Sequence, residues 1–384
     1  MPTTPGPRPA DEPSSAPQLR VAVVHELTDD ARLLAQWDEL ACAAGAPRSA
    51  PACVMAWYRH VLADNRRIRL ITVHDGDRLV GVCPLFVHRD RWGFAHYRMA
   101  GHGTIAGVEH LFAREQQEAA ARAIAGSLHR LDPVPDAVEV DAVPRARAFL
   151  ELAADAWPRP RPEIRSWASV APFLVLPDGG YEAWLDSRSG RTTRLARRSE
   201  RLLVEAGYRP LVLEEPGEIL DRLPALRELY LERKEDRGGA GADFGPPMVA
   251  MVEDLVRRLA PLGRATIFTW ERDDVVLTAH LVLSAGGNAS GWLGAVGSRE
   301  AKLSPGSLNL VANIEWAQRS GTRTLDWGPG NEAYKNRFSN GARALQDAFL
   351  RRRNLFLINT PVARGPRRAR ALAGSLRNRL RRRA

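Results

Sequence analysis

PACVMAWYRHVLA, residues 51–63, is answered 196 positions later by PMVAMVEDLVRRLA, residues 247–260. Each stretch opens on a proline, whose fixed φ and missing N–H suit the first turn of a helix, and each then spaces apolar residues at helical intervals. At the same offset the strand RLITVH (69–74) matches ATIFTW (265–270). The polar turn 75–78 matches 271–274, and LVGVCPLFV (79–87) matches VVLTAHLVL (275–283). Apolar runs rich in β-branched residues on either side of a short polar turn spell a hairpin. A helix followed by a hairpin therefore occurs twice.

The correspondence continues at an offset of 185, so the intervening loops differ by eleven residues. The helical pattern EHLFAREQQEAAARAIAGSLHRL (109–131) leads to the strand AVEVDAVP, and SLNLVANIEWAQRSG (307–321) leads to TRTLDWGP. In each strand an Asp is followed three residues later by Pro: Asp141 with Pro144, and Asp326 with Pro329. A duplicated unit of this size sets domain boundaries better than composition does. The repeat predicts an α+β fold, with helices packed on mixed, largely antiparallel sheets, in two tandem units at 19–160 and 161–362. The Pro-rich segment 157–168, WPRPRPEIRSWA, is the expected linker between them.

Composition bounds the ends. The first eighteen residues are rich in Pro, Ser and Thr, lack an apolar stretch, and are expected to be disordered. The net charge of +10 resides almost wholly in one tail: from Arg364 onward there are nine arginines and no acid, and the remainder carries +1. The basic tail, 363–384, is read as solvated or as a weak contact to an anionic surface, with no specific nucleic acid partner. No apolar run is long enough to span a bilayer. Three cysteines without CxxC spacing argue against a metal site or a disulfide framework and for a reducing, cytoplasmic setting.

The chemistry is expected after the second hairpin, where the strand NASGWLGAV (288–296) meets the loop GSREAKLSPGS (297–307) and a helix. Ser304 is placed to cap that helix, Pro305 to start it, and Gly306 to let a ligand approach the backbone. Free N–H groups at such an end attract anions, and Arg299 and Lys302 add positive charge just upstream. The same residues also read as no more than a good helix start. A stripe of Arg188, Arg191, Arg194, Arg197 and Arg201, at spacings of three or four, suits a phosphorylated ligand or is simply a solvated face. Asp326 stands at a strand end, either as a base or substrate anchor or as a cap for the following turn. His280 lies within a strand, as a core histidine or a proton-transfer group.

A strand, a small-residue loop opening a helix, and a further strand is the order in which GNAT proteins hold the pyrophosphate of coenzyme A, and this sequence resembles that superfamily. Within it, residues 181–338 look like the double-GNAT branch often named after CelD, associated with cellulose biosynthesis and related to the Fem peptidyltransferases. The motifs that carry the resemblance are SGRTTRLARRSERLLVEAG (189–207), LSPGSLNLVANIEWAQRSG (303–321) and LDWGPGNEAYKNRFSN (325–340). The loop departs from the commoner glycine-rich acetyltransferase pattern. The resemblance implies transfer of an acyl group, acetyl or longer, from acyl-CoA to an amine by direct attack, with no metal. Tyr334 would protonate the departing thiolate, unless it and Phe338 only pack their helix. Lys335 would neutralise a phosphate or the oxyanion, unless it is a surface lysine. Acyl-CoA would be held by Arg299, Lys302, Ser304, Gly306, Ser307 and Lys335, and the acceptor, a small molecule or saccharide amine, by Arg191, Arg194 and Trp327. The rival readings are an aminoacyl-tRNA-dependent transferase of the Fem type and a non-catalytic scaffold of polysaccharide synthesis. The expected protein is a cytoplasmic monomer or homodimer, touching the inner membrane face at most peripherally.

Overall fold

The computed structural model describes residues 19–236, 244–273 and 275–352, so the tail expected at 1–18 and the basic stretch at 363–384 lie outside the described residues. In chain order the elements are β1 (Arg20–Val24), α1 (Ala31–Ala44), α2 (Pro51–Trp57), β2 (Ile68–Asp75), β3 (Arg78–Arg89), β4 (Ala95–Met99), β5 (Leu111–Phe112), α3 (Gln117–Ser127), β6 (Ala137–Val143), α4 (Ala146–Ala156) and β7 (Glu163–Val175). Then follow α5 (Gly180–Asp186), α6 (Gly190–Glu205), β8 (Arg209–Leu213), α7 (Pro216–Asp221), α8 (Leu223–Asp236), α9 (Pro246–Leu259), β9 (Ala265–Arg272), β10 (Val275–Ala285), β11 (Asn288–Val296), α10 (Pro305–Ser320), β12 (Thr324–Asp326), α11 (Ala333–Arg337) and β13 (Gly341–Arg351).

Twelve strands form one continuous sheet in the order β1-β2-β3-β4-β6-β13-β7-β12-β11-β10-β9-β8, with β5 pairing β3 off this path. The order reads the same from either end. In one half β4 runs parallel to β6, in the other β11 runs parallel to β12, and every other pair is antiparallel. The two halves exchange their last strands, because β7 leaves the N-terminal half to pair with β12, and β13 returns from the C-terminal half to pair with β6. At the centre β7 and β13 pair from Glu163↔Arg351 to Phe173↔Gly341. This overturns the linker expected over 157–168: residues 163–168 are sheet, and only the proline-studded start of that segment connects. Prolines lack the ladder donor, so the strand begins just after the last of them, Pro162.

Local chemistry explains the repeated helix starts. Asp30 caps α1 by accepting from the N–H groups of Arg32 and Leu33, and α1 ends at Gly45 in the left-handed region. α2 and α9 both begin at prolines, as the repeat predicts. The two helices pack on each other, and Asp254 of α9 receives Arg59 and His60 of the turn that extends α2. One apolar core contains Trp37, Val54 and Trp57 from the N-terminal half and Met251, Leu255 and Leu281 from the C-terminal half, so the halves share their interior. A second core, on the opposite face of the C-terminal half-sheet, joins Leu310 and Ile314 of α10 to Leu325, Trp184 and Phe338.

The β10–β11 turn locks the halves. Gly286, at φ +57°, brings its Cα so near α1 that an added Cβ would lie 1.8 Å from the carbonyl oxygen of Cys42. Asn288 Nδ2 donates to Gly45 O at 3.0 Å beside it. Gly286→Ala therefore combines a left-handed strain with a backbone collision and is expected to cost about 3 kcal/mol, read as a shift of the urea-unfolding midpoint.

Candidate active site at a fork in the sheet

β11 and β12 stay together for three residue pairs, the last being Ser290↔Asp326, and then diverge. Two local features open the fork. On β11 an extra residue, Trp292, bulges between the pairs Val282↔Gly291 and Leu281↔Leu293, and bulges of this kind re-aim a strand. After β12 the chain turns away through Gly328 at φ +78° and Gly330 at φ +126°. Asp326 Oδ1 accepts from the Gly328 N–H at 2.7 Å, and its Oδ2 receives Arg343 at 2.6 Å. The capping alternative weighed for Asp326 is thus realised, with an ion pair added.

α10 covers one side of the fork. His280 on β10 lies on this side, under glycines that leave it room: a Cβ on Gly291 would stand 2.4 Å from His280 Nε2. Burial first, then the charges of Lys335, Arg233 and Arg48, lower its pKa to about 4, so the imidazole is neutral at ordinary pH. His280 Nδ1 and Trp327 Nε1 are both buried without a hydrogen-bond partner. A buried polar atom without a partner is a place where a ligand's polar group can be accepted. Tyr334, half-buried, packs with Phe338 and Trp184 in the second core on this same side. Lys335 is buried, its Nζ reaching Pro329 O at 2.9 Å, Gly328 O at 3.3 Å and Glu332 at 3.0 Å. It braces the turn from inside rather than standing on the surface.

The loop before α10 brings Arg299, Lys302 and Ser304 together as exposed residues, with Gly306 and Ser307 in the first turn. Ser304 holds the cap position at φ +53° but its hydroxyl makes no capping bond; Ser307 N–H bonds back to Ser304 O at 2.9 Å. The absence of a side chain on Gly306 has a packing reason, since a Cβ there would meet Val296 Cγ2 at 2.6 Å. α6 packs on α10 and on the turn Ala301–Leu303, so Arg194, Arg197 and Arg198, all exposed, lie near this loop. The expected stripe is shorter at its start. Arg188 precedes the helix, stacks on Trp184 and donates to Ser339 O, and the side chain of Arg191 lies outside the described residues.

The opposite side of the fork is a recess of about 210 Å³ between the halves. Thr324 and Asp326 face it, because side chains alternate across a strand and Leu325 points to the α10 side. Arg48, in the 3-10 turn before α2, is buried and crosses the fork. Its guanidinium donates to Gly291 O on β11 and to Ala106 O of the loop after β4, both at 2.9 Å. Glu109 and Arg343 complete the charged lining. The Glu109 N–H is held by Ser49 Oγ at 2.9 Å, and the same loop is fixed by Trp57 and Trp292, which donate to the hydroxyl and carbonyl oxygens of Thr104.

Of the expected residues, His280, Trp327, Tyr334 and Lys335 gather on the α10 side of the fork, and Asp326 faces the recess. Arg194 lies with α6 on the α10 side, away from the recess, and Trp327 sits in the second core. Asp141, the counterpart of Asp326, plays a different part: it receives His102 Nδ1 at 2.7 Å. His102, Glu139 and Asp141 bring possible metal-ligand atoms within 4.8 Å of one another. Burial acts to raise the Glu139 pKa, but the nearby His96 ring and the Arg98 guanidinium, which donates to both carboxylate oxygens, hold it down to about 2. The cluster is an ion-pair network filling the N-terminal counterpart of the fork. Sequence reasoning missed Arg48, Glu109 and Arg343. Glu109 falls in a segment read as helix, whereas α3 begins only at Gln117; the glycines at 101, 103 and 107 were the available sign of an irregular loop.

Residues 190–336 match the family model of the acetyltransferase (GNAT) domain. A comparison with curated protein sequences finds no match. Among solved structures, the chain is similar to the C-terminal DUF2156 domain of a putative lysylphosphatidylglycerol synthetase from Agrobacterium fabrum, at 10% identity and TM-score 0.53, covering 84% of this chain and 92% of that one. It is similar to FemX at 13% identity, with the same TM-score and coverages. These likenesses establish a mixed α/β fold with GNAT-like sheet topology. The chain carries a GNAT-family N-acyltransferase domain. The matched domain is of the acyl-CoA-dependent acetyltransferase type. Among the described residues no helix is long and apolar enough to cross a membrane.

Proposed function

We propose that the protein is a tandem GNAT enzyme in which the C-terminal half binds acyl-CoA along the α10 side of the fork, and the recess between the halves receives an amine. The observation that carries this reading is the two-sided fork: unmatched polar atoms and a helix start on one side, a charged recess on the other, separated by one layer of sheet. The diphosphate would lie over the start of α10, where Arg299, Lys302, Ser304, Gly306 and Ser307 offer side-chain charge, backbone N–H groups and the positive end of the helix. Trp327 and His280, neutral, would hydrogen-bond the polar groups of the thioester arm. Acyl-CoA supplies the activated carbonyl carbon. Tyr334, on the same side, would give a proton to the departing sulfur, and Lys335 would keep the turn that carries Tyr334 in place. Asp326 and Arg343 would orient the acceptor.

The N-terminal half supports the other role, shaping the acceptor side. Its fork is filled by the Arg98, Glu139, His102 and Asp141 network, and the first turn of α3 carries Glu118 where that of α10 carries no acid. The cofactor site is tested by calorimetry with acetyl-CoA. Reversing two exposed charges, Arg299→Glu with Lys302→Glu, is expected to weaken binding at least about tenfold while leaving the melting temperature unchanged, since neither side chain is buried. Unaltered binding would remove the diphosphate from this loop. Gly306→Val is unsuitable here, because it would also collide with Val296.

A further inference from the structure

We propose that Glu109, contributed by the N-terminal half, is the general base that takes a proton from the acceptor amine across the recess. This assignment rests on the acyl-transfer reading of the fork. Three observations lead to it. First, of the two carboxylates that line the recess, Asp326 is committed, with one oxygen on the Gly328 N–H and the other on Arg343, whereas Glu109 has only its backbone N–H tied down, by Ser49 Oγ. Second, the loop carrying Glu109 is fastened to the fork itself, through Arg48, which bridges Ala106 O and Gly291 O, and through Trp292 of the bulge, which reaches Thr104 O. The carboxylate is therefore held in register with the place where β11 and β12 part. Third, Glu109 stands on the face opposite Tyr334. An amine entering from the recess and a thiolate leaving on the α10 side then meet separate proton carriers.

The surrounding charges suit this work. Burial raises the Glu109 carboxyl above its ordinary value, Arg343 on β13 and Arg48 on the 3-10 turn act to lower it, and Asp326 on β12 adds to the rise. A base displaced toward neutrality accepts a proton from an ammonium more readily than an ordinary carboxylate does. His280 is the poorer base, since a pKa of about 4 leaves its imidazole weakly basic and it lies on the far side of the sheet. The ammonium R–NH3+ gives one proton to the Glu109 carboxylate. Its freed lone pair forms the N–C bond to the acyl carbon, the C–S bond breaks, and the second proton ends on the coenzyme A sulfur. The products are the amide and free thiol, and Glu109 then releases its proton to solvent.

The test compares wild type with Glu109→Gln using acetyl-CoA and two small nucleophiles, spermidine, which is protonated at pH 7.5, and hydroxylamine, which is not. Release of the coenzyme A thiol is followed, and acetyl-CoA affinity is measured by calorimetry. The variant should lose at least about 100-fold in rate with spermidine, keep a rate close to wild type with hydroxylamine, and bind acetyl-CoA unchanged. Its pH profile with spermidine should lose the rise that wild type shows as Glu109 deprotonates. A second measurement needs no acceptor: the carbon-13 carboxyl signal absent from Glu109→Gln should titrate, in wild type, above the range of ordinary glutamates. Folding of the variant is expected, since replacing a carboxylate whose folded pKa is raised removes a penalty at neutral pH. Equal losses with both nucleophiles, or a signal titrating at or below the ordinary glutamate value, would overturn the assignment. Failure of wild type to bind acetyl-CoA would instead overturn the acyl-transfer reading, and the role of Glu109 with it.

Discussion

Tyr334→Phe should lower the turnover rate about 100- to 1000-fold while leaving acetyl-CoA affinity and the melting temperature at wild-type values. The substitution removes one hydroxyl and keeps the ring, and the ring is what packs with Phe338, Trp184 and Leu174 in the second core. Packing alone therefore predicts no loss, and acid catalysis predicts a large one. The position favours the second outcome: the helix bearing Tyr334 follows the turn at Gly328 and Gly330, is braced by Lys335 on Pro329 O, and faces the same side of the fork as His280 and the start of α10. A thiol of coenzyme A leaves as thiolate unless an acid is at hand, so the deficit should shrink for an acyl donor whose leaving thiol is more acidic. A Tyr334→Phe enzyme with wild-type turnover would reduce the residue to packing.

The repeat made most of the fold legible. Offsets of 196 and 185 placed both prolines, both hairpins and the strand–loop–helix order, and the structure finds these elements close to the expected bounds except at the helix expected from 109, where α3 begins only at Gln117. What the sequence concealed was pairing between distant segments. The Pro-rich composition before Glu163 reads as linker, yet its end is a central strand, because sheet membership is decided by partners 168 to 188 residues away that composition cannot show. The exchange of β7 and β13 between the halves is hidden for the same reason. At the site, motif reasoning found the side of the fork made from contiguous sequence, from 297 to 338. It missed the recess, whose charged lining is assembled from Arg48, Glu109, Asp326 and Arg343 on separate elements. The parallel drawn between Asp141 and Asp326 also failed in detail. Equivalent places in a duplicated sheet were filled differently, by an ion-pair network in one half and by His280 beneath Gly291 and Gly294 in the other.

Arg48→Met is expected to cost about 3 kcal/mol in stability and at least about 100-fold in kcat/KM, a far larger effect than most arginine substitutions. Two carbonyl oxygens, Gly291 O and Ala106 O, lose their donor together, and an acceptor left unsatisfied where water is partly excluded costs about 1–3 kcal/mol. Part of this is offset, because burial already disfavours the guanidinium charge and acts to lower its pKa, so methionine escapes that penalty. The functional loss has a separate origin. Arg48 is the link between β11 where it leaves β12 and the loop that carries Glu109, and freeing either end misplaces the acceptor side relative to the thioester side; a displacement of about 1 Å is enough for a 100-fold loss. Arg48→Lys separates the two effects. An ammonium keeps the charge but lacks the planar fork that spans two carbonyls, so it should restore part of the stability and little of the rate. Unfolding midpoints in urea and initial rates, measured on both variants, give the partition. Should Arg48→Lys recover full activity, the charge alone would matter, and the rigid bridge across the fork would have no part in catalysis.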